Sequence, residues 1–338
     1  AFFYGAHVKI RFKIVFNFFV YYIRTINIFK DFLSKEKPDL VYLNTSVLLP
    51  VGMITYKLGY PIIWHVREVP GPNNILRNYQ IKKIKKMASH IIVNSNFVKK
   101  YYEPCLKLVT VYNGLDLDKH NIDDKKAFTK IRSELKINKN TQVICMVGSV
   151  QEEKGHFLLI DIAKKIINLH QNILFLIIAG GVDQAYRLSW KGKIKKLINY
   201  PLDNRDRMKR LILSNSLEKN FIFTGYRFDI PQILAASNMV AFLSQKPEGF
   251  GRPIIEAMAS ARPIIATDIG PSRELIGEKS GLLVSKRNVP ELVDAIMSII
   301  QCEDQFLRFG KYGRERANKF FNQIDYIKKI ERIIEKNA

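Results

Sequence analysis

The stretch from Ser244 to Thr267, SQKPEGFGRPIIEAMASARPIIAT, gathers the residue types that hold phosphates and vicinal hydroxyls. It follows an apolar run, Met239–Leu243, that reads as a strand, and it carries Glu248, then Gly249-Phe250-Gly251, then Pro253 at the opening of a helix. Proline is favoured there because its missing N–H would be unpaired anyway. Glycines just ahead of a helix let the backbone approach a ligand closely. The free N–H groups of the first turn, with their partial positive charge, suit a phosphate. Glu256 falls about one turn into that helix, where its two oxygens can accept from both hydroxyls of a ribose-like diol. Glu248 lies eight residues earlier; at 100° per residue it cannot share a helix face with Glu256, so it belongs to the preceding loop. A loop carboxylate and a helix carboxylate would then flank one phosphate-binding turn.

Taken singly, each feature has a plain structural explanation. Glu248 reads as a solvated side chain, Glu256 as a favourable charge near a helix start, and a Gly-x-Gly without its third glycine is not a dinucleotide fingerprint.

Around this stretch the chain alternates short apolar runs with amphipathic segments. Strands are expected at Leu40–Asn44, Pro61–Val66, His90–Asn94, Leu108–Tyr112, Gln142–Val147, Ile173–Ala179, Phe221–Thr224, Met239–Leu243, Pro263–Ala266 and Gly281–Val284. Most are continuously apolar, as in strands covered on both faces. Helical periodicity lies between them, as in Phe157–Leu169 and Val289–Ile300, and Glu303–Lys336 reads as helix. Such alternation predicts parallel sheets in an α/β fold. A polar, strand-free stretch, Asp116–Lys139, separates the first four strands from the last six and reads as a linker between two doubly wound domains. Ligands bind beyond the carboxyl ends of such strands, which predicts an active site in the cleft between the domains.

Bulk properties narrow the setting. The 338 residues carry a formal charge of +23, and residues 1–120 hold 18 Lys/Arg against 7 Asp/Glu. A surface of this kind attracts anions. Cys105, Cys145 and Cys302 are scattered without metal-ligand spacing, which fits a reducing compartment. The run Ile14–Ile23, broken by Asn17, is too short to span a bilayer. The aromatic-rich helix Phe12–Leu33 and the cluster Lys82, Lys83, Lys85, Lys86, with Ile81 and Ile84 marking an apolar side, predict docking on an anionic membrane.

The Ser244–Thr267 passage resembles the signature of glycosyltransferase family 4, in which two glutamates flank an FG turn ahead of an EAMA-type helix. Glu248, Gly249, Phe250, Gly251, Glu256, Ala257, Met258 and Ala259 match it, and the likeness continues through Arg262-Pro263, Asp268-Ile269-Gly270-Pro271, Glu274 and Gly281–Val284. Val147-Gly148-Ser149 with Glu153-Lys154-Gly155 is similar to the first strand and loop of the family's donor domain, where the lysine binds the donor diphosphate. Ala179-Gly180-Gly181 matches a glycine turn, and Phe223-Thr224-Gly225-Tyr226 the loop that meets the nucleotide base. Asn113-Gly114-Leu115-Asp116 resembles the motif closing the first domain. Trp64-His65-Val66-Arg67-Glu68 is similar to a segment lining the cleft, with His65 placed to bond the transferred sugar. Two positions depart from the pattern: Ser149 stands where many members have arginine, with Arg252 as a partial substitute, and Ala261 is often glycine. The likeness covers about residues 35–335. By the resemblance, further strands and a glycine-rich loop would be expected before Leu40, and a chain without them would be expected to be inactive.

The resemblance implies a GT-B fold: two doubly wound Rossmann-like domains with a cleft between them. Residues 1–116 would form an acceptor-side domain, 117–310 the donor-binding domain, and 311–338 a helix packing back on the first. It implies retaining transfer of a hexose from a UDP- or GDP-sugar to a glycan or lipid-linked acceptor in cell-surface polysaccharide synthesis. Glu248 and His65 would be catalytic; Ser149, Lys154, Gly180, Gly225, Tyr226, Gly249, Phe250, Gly251, Arg252 and Glu256 would bind the donor, with no metal or cofactor. The expected place is the cytoplasm, with peripheral attachment to the inner face of the cell membrane, and no nucleic acid as partner. The rival readings are a basic, non-catalytic binding protein and a GT-B phosphorylase or epimerase.

Overall fold

The computed structural model describes residues 12–120, 124–180 and 203–337, with 12–23 and 124 in backbone only. Gly181 and the side chains of the Ile14–Ile23 run lie outside the described residues. The chain divides into two compact units, 1–114 with 323–338, and 115–322.

The first unit holds a parallel sheet ordered β1-β2-β3-β4: β1 (Val41–Leu43), β2 (Ile62–Val66), β3 (His90–Val93) and β4 (Leu108–Thr110). Helix α1 (Phe12–Glu36) precedes β1, and α2 (Leu49–Lys57), α3 (Asn74–Met87) and α4 (Asn96–Lys99) connect the strands. Strand β2, IIWHV, is buried at every residue because both faces of the sheet are covered. Alternate residues point to opposite faces. Ile62, Trp64, Val66, Ile91 and Val93 join one core with Leu33, Ile84 and Met87. Ile63 and Ile92 face the other way, onto Tyr326, Ile330, Ile333 and Ile334. Those four residues recur at the spacing of one helix face and belong to the C-terminal helix Gln323–Glu335. The segment read as one C-terminal helix is therefore two. Its first part, Glu303–Phe320, belongs to the second unit, and only the part from Gln323 onward to the first.

The second unit is a six-stranded, all-parallel sheet ordered β10-β9-β8-β5-β6-β7. Its strands are β5 (Gln142–Val147), β6 (Ile173–Ile178), β7 (Phe221–Phe223), β8 (Met239–Phe242), β9 (Ile264–Thr267) and β10 (Gly281–Val284). Helices α5 (Asp124–Glu134), α6 (Leu158–Ile166), α7 (Asn204–Ser214), α8 (Ile230–Ala235), α9 (Arg252–Ala259), α10 (Ser272–Ile276), α11 (Val289–Gln301) and α12 (Glu303–Phe320) surround it. The chain lays β6 and β7 outward from one side of β5, then returns to place β8 on β5's other side, in register Ile144↔Met239. Strand order thus reverses between β5 and β8. The loops leaving the carboxyl ends of those two strands diverge there and open a crevice.

Arg132 of α5 ties the linker region to this sheet. It is buried, and it donates to the carbonyls of Ala236, Asn138, Lys139 and Thr141 and to Asn238 Oδ1 at 2.8–3.1 Å. Burial lowers its pKa to about 10, with Arg262 adding to the shift. No helix among the described residues is long and apolar enough to cross a membrane.

Candidate functional site

The reversal point between β5 and β8 collects most of the residues singled out above. After β5 the chain passes Gly148, at φ +132°, and the exposed Ser149, then turns tightly through Gln151–Gly155. In that turn Lys154 N donates to Gln151 O and Gly155 N to Glu152 O. Gly155 sits at φ +80°, and a Cβ there would fall 2.1 Å from Leu243 O, so only glycine lets this turn lie against the end of β8. Two hydrogen bonds staple the loops together: Gln245 N donates to Glu153 O at 2.6 Å, and the Ser244 hydroxyl to the same carbonyl at 3.3 Å. The Lys154 ammonium is held over Gly148, 3.5 Å from where a Cβ would stand. Among the described residues Lys154 makes no ion pair.

On the β8 side, the one Ser244 hydroxyl proton has three acceptors around it, Lys246 O at 2.8 Å, Glu248 Oε1 at 3.1 Å and, more distantly, Glu153 O at 3.3 Å, and this shared donor positions the half-buried Glu248 carboxylate in its loop. The β9 loop supports it from below: Thr267 Oγ1 donates to Ser244 O at 2.6 Å, and a Cβ on Gly270 would come within 3.3 Å of the Glu248 backbone. Gly249 and Gly251 follow, the latter at φ +118° as the residue capping α9. Pro253 is the second helical residue rather than the first. The Phe250 ring points inward and packs edge-to-face on Phe321, 6.0 Å between centroids, so it anchors the turn and offers a ligand only its backbone.

Glu256 is only 9% exposed, and its Oε1 accepts from Arg252 Nε at 2.7 Å. Burial raises its pKa, and the hydrogen bond and charge of Arg252 partly oppose that rise. Arg252 is therefore engaged with Glu256, while the rest of its side chain stays exposed.

The β6 and β7 loops form a second cluster on the same edge. Gly180 is exposed beyond β6, and the Tyr226 ring covers it, 4.0 Å from a notional Cβ. Tyr226 and Phe228 are 73% and 89% exposed and meet edge-to-face at 5.0 Å. Arg227 fixes this loop by pairing with Asp229 at 2.6 Å and with Glu134. Gly225, at φ +80°, has open space where a side chain would be. Each of these solvent-facing rings presents a face on which a planar ligand can stack.

His65 belongs to the first unit. It is fully buried, its Nδ1 shares a 2.6 Å hydrogen bond with the Tyr42 hydroxyl, and burial, with Arg67 nearby, lowers its pKa to about 4. The neighbouring Glu68 accepts from the Thr45 hydroxyl at 2.7 Å and from Ser46 N, closing the loop after β1.

Sequence reasoning passed over Ser244 and His156. Ser244 is the junction that holds Glu248, and only its place one residue past a strand end hinted at it. His156 is fully buried behind Lys154, and its Nδ1 accepts from Gln151 N at 3.5 Å. Burial holds its pKa down near 4, so it supports the lysine turn without adding charge.

Residues 127–316 match the family model described as "Glycosyl transferases group 1", and residues 3–119 that of "Glycosyltransferase Family 4". Among curated relatives, the chain is 26% identical to the UDP-Gal:alpha-D-GlcNAc-diphosphoundecaprenol alpha-1,3-galactosyltransferase of Escherichia coli, over 92% of this chain and 80% of that protein. It is 27% identical to the poly(ribitol-phosphate) alpha-N-acetylglucosaminyltransferase of Staphylococcus aureus (strain COL), over 68% of this chain and 43% of the other. Among solved structures, Anabaena Alr3699/HepE in complex with UDP and glucose aligns with a TM-score of 0.76 at 21% identity, covering 93% of this chain and 80% of that one. A glycosyltransferase from Rickettsia africae ESF-5 aligns at 0.77 with 20% identity, covering 98% and 83%. At these identities the structural likeness speaks for the fold: two α/β domains of the GT-B type.

Proposed function

Because the chain belongs to the group 1 glycosyl transferases, we propose that it moves a hexose from a UDP- or GDP-sugar to a glycan or lipid-linked acceptor, with retention of anomeric configuration. The named relatives act on lipid-linked and polymeric acceptors, which supports a place in cell-surface polysaccharide assembly.

The observation that carries the proposal is the stapled crevice between β5 and β8. It lays the turn that carries Lys154 against the end of β8, from which the chain runs on through Glu248 to the Gly249–Gly251 turn and the start of α9, and among the described residues Lys154 makes no ion pair. In this reading, backbone N–H groups of the turn and first helical residues, with Lys154, take the donor diphosphate. Their charge opposes the negative charge that builds as the sugar–phosphate bond breaks. A lysine and a helix N-terminus supply that compensation without a metal. Glu256 accepts from the ribose hydroxyls, exchanging its bond to Arg252 for them, and the freed guanidinium can turn to a phosphate oxygen. Gly180, Gly225 and Tyr226 receive the base. Ser149 leaves the lysine as the main cation of its loop. Glu248, held by Ser244, bonds hydroxyls of the transferred sugar and orients it. His65 is proposed as a sugar contact of the first unit; with its ring buried against Tyr42, that role requires the surrounding loop to open.

Thermal shift without metal, using UDP-, GDP-, ADP- and TDP-sugars on wild type and Glu256→Ala, tests the donor site. The proposal expects stabilisation by one nucleotide class that weakens in the variant; equal stabilisation of both proteins would refute the ribose contact. NMR of the product's anomeric proton tests retention. Sugar release that depends on inorganic phosphate, with no acceptor present, would favour a phosphorylase instead.

A further inference from the structure

Helix α3 of the first unit carries an outward face that the donor chemistry does not use. The helix is rigidly begun: Asn73 Oδ1 accepts from Leu76 N at 3.1 Å. Its buried side, Gln80, Ile84 and Met87, packs on the sheet. The apolar side read from the sequence, Ile81 and Ile84, is therefore not a free surface, because Ile84 is core. At 100° per residue, Ile75, Leu76, Tyr79, Lys82, Lys83 and Lys86 fall instead within one arc of about 120° on the outer side. Ile75 is 81% exposed, and Leu76 and Tyr79 nearly half exposed. The face is thus apolar in its first turn and basic in its last two, over about 16 Å.

Three further observations bear on what covers it. The helix contains five Lys/Arg and no acidic residue. Lys85 is turned aside to Pro104 O at 2.7 Å, leaving Lys82, Lys83 and Lys86 outward. The apolar end follows β2 after a short loop, so it lies at the carboxyl edge of this unit's sheet, the edge at which such sheets bind ligands. A protein partner or a second copy would account for apolar exposure. Glu103 flanks the face beside Lys82 and Lys85, but neither partner calls for a face that grades from apolar to cationic along its length, which matches an anionic bilayer with phosphates outside and acyl chains within.

We infer that this face of α3 docks the protein on an anionic lipid bilayer. Ile75, Leu76 and Tyr79 enter the headgroup–acyl boundary, and Lys82, Lys83 and Lys86 lie against lipid phosphates. Docking this way turns the carboxyl edge of the first unit's sheet toward the membrane surface.

Flotation tests this on the full chain, with vesicles of mixed phosphatidylglycerol and phosphatidylcholine against pure phosphatidylcholine at low salt. Wild type is expected to float only with the anionic vesicles. Partitioning should fall roughly fivefold for each lysine removed, so Lys82→Glu/Lys83→Glu/Lys86→Glu should abolish flotation. Ile75→Ser/Leu76→Ser/Tyr79→Ser should weaken it at unchanged charge. Thermal shift with the donor serves as the fold control, since none of these residues lies in the donor site. A charge-matched control, Lys139→Glu/Lys164→Glu/Lys165→Glu, reverses exposed lysines of the second unit. The proposal is overturned if that control loses flotation equally, if the serine variant floats like wild type, or if wild type fails to float. Light scattering that shows a dimer split by the serine substitutions would assign the face to a second copy. Displacement of wild type from vesicles by a short oligonucleotide, with the serine variant binding it unchanged, would assign the face to nucleic acid.

Discussion

Gly155 and Gly225 share a left-handed φ of +80° but differ in what a methyl group would meet, and that contrast yields a two-part prediction. Alanine at either position incurs the backbone cost of the left-handed region, about 1 kcal/mol. At Gly225 nothing lies within 4 Å of the new Cβ, so Gly225→Ala should cost that and little more. At Gly155 the Cβ would lie 2.1 Å from Leu243 O and 2.7 Å from Leu243 Cβ. Both are parts of a buried strand end that cannot swing away, so the turn must lift by about 1 Å. Forced repacking of that kind costs about 1–3 kcal/mol, which brings Gly155→Ala to about 2–4 kcal/mol. The movement also stretches the Gln245 N–Glu153 O bond and carries Lys154 off the crevice, and a displacement of this size can lower catalytic efficiency about a hundredfold. Urea unfolding followed by circular dichroism measures the stability difference, and donor titration measures the displaced lysine. Equal destabilisation by the two substitutions, or unchanged donor affinity in Gly155→Ala, would show that the two loops are not locked as described.

Three other outcomes follow from buried charge. Glu256→Gln should weaken nucleotide-sugar binding ten- to a hundredfold, the worth of one or two charge-assisted hydrogen bonds, when measured by calorimetry. Because burial raises the pKa of Glu256 in the folded state, its ionised form opposes folding, and that cost appears as pH rises through the raised pKa. Glu256→Gln should therefore be more stable than wild type at neutral pH and lose this advantage in acid; no gain at neutral pH would contradict it. Arg132→Lys replaces five directed donors with three and leaves buried carbonyls unpaired, for a loss of about 2–4 kcal/mol in urea unfolding; a loss below about 1 kcal/mol would mean that water replaces those bonds. His65, His156 and His120, the last buried with its Nδ1 sharing a 2.7 Å hydrogen bond with the Ser260 hydroxyl, are each held by burial at about 4 against an ordinary 6.5. Their folded pKa values are depressed, so the stability they leave intact above pH 6.5 is lost as pH falls toward 4. Each contributes on the order of 2–3 kcal/mol to that loss. The urea midpoint should drop across this window, and His156→Gln should flatten the drop; a midpoint indifferent to pH there would sink the assignment of neutral buried histidines.

Much of the fold was legible in the sequence because its strands are buried on both faces. Runs such as QVICMV and ILFLII are continuously apolar, so their limits are marked by the polar residues around them. All ten strands fall where the apolar runs place them, and Gln142–Val147 and Gly281–Val284 agree at both ends. The chemistry of the Ser244–Thr267 stretch was legible for a different reason: turn, cap and carboxylates are adjacent in the chain, so local geometry fixes their relation. What needed tertiary structure was every relation between distant segments. That β8 returns beside β5, and so brings Glu153 to Ser244 and Gln245, depends on strand order, which periodicity does not encode. The C-terminal helices share one helical pattern, yet the chain breaks at Phe321, whose ring is taken into the core against Phe250. Burial of His65 under Tyr42, and exposure of Ile75 while Ile84 is covered, were undetermined for the same reason. A residue's type states what it can bind; which neighbour or solvent it meets is decided only when the sheet and its helices close around it.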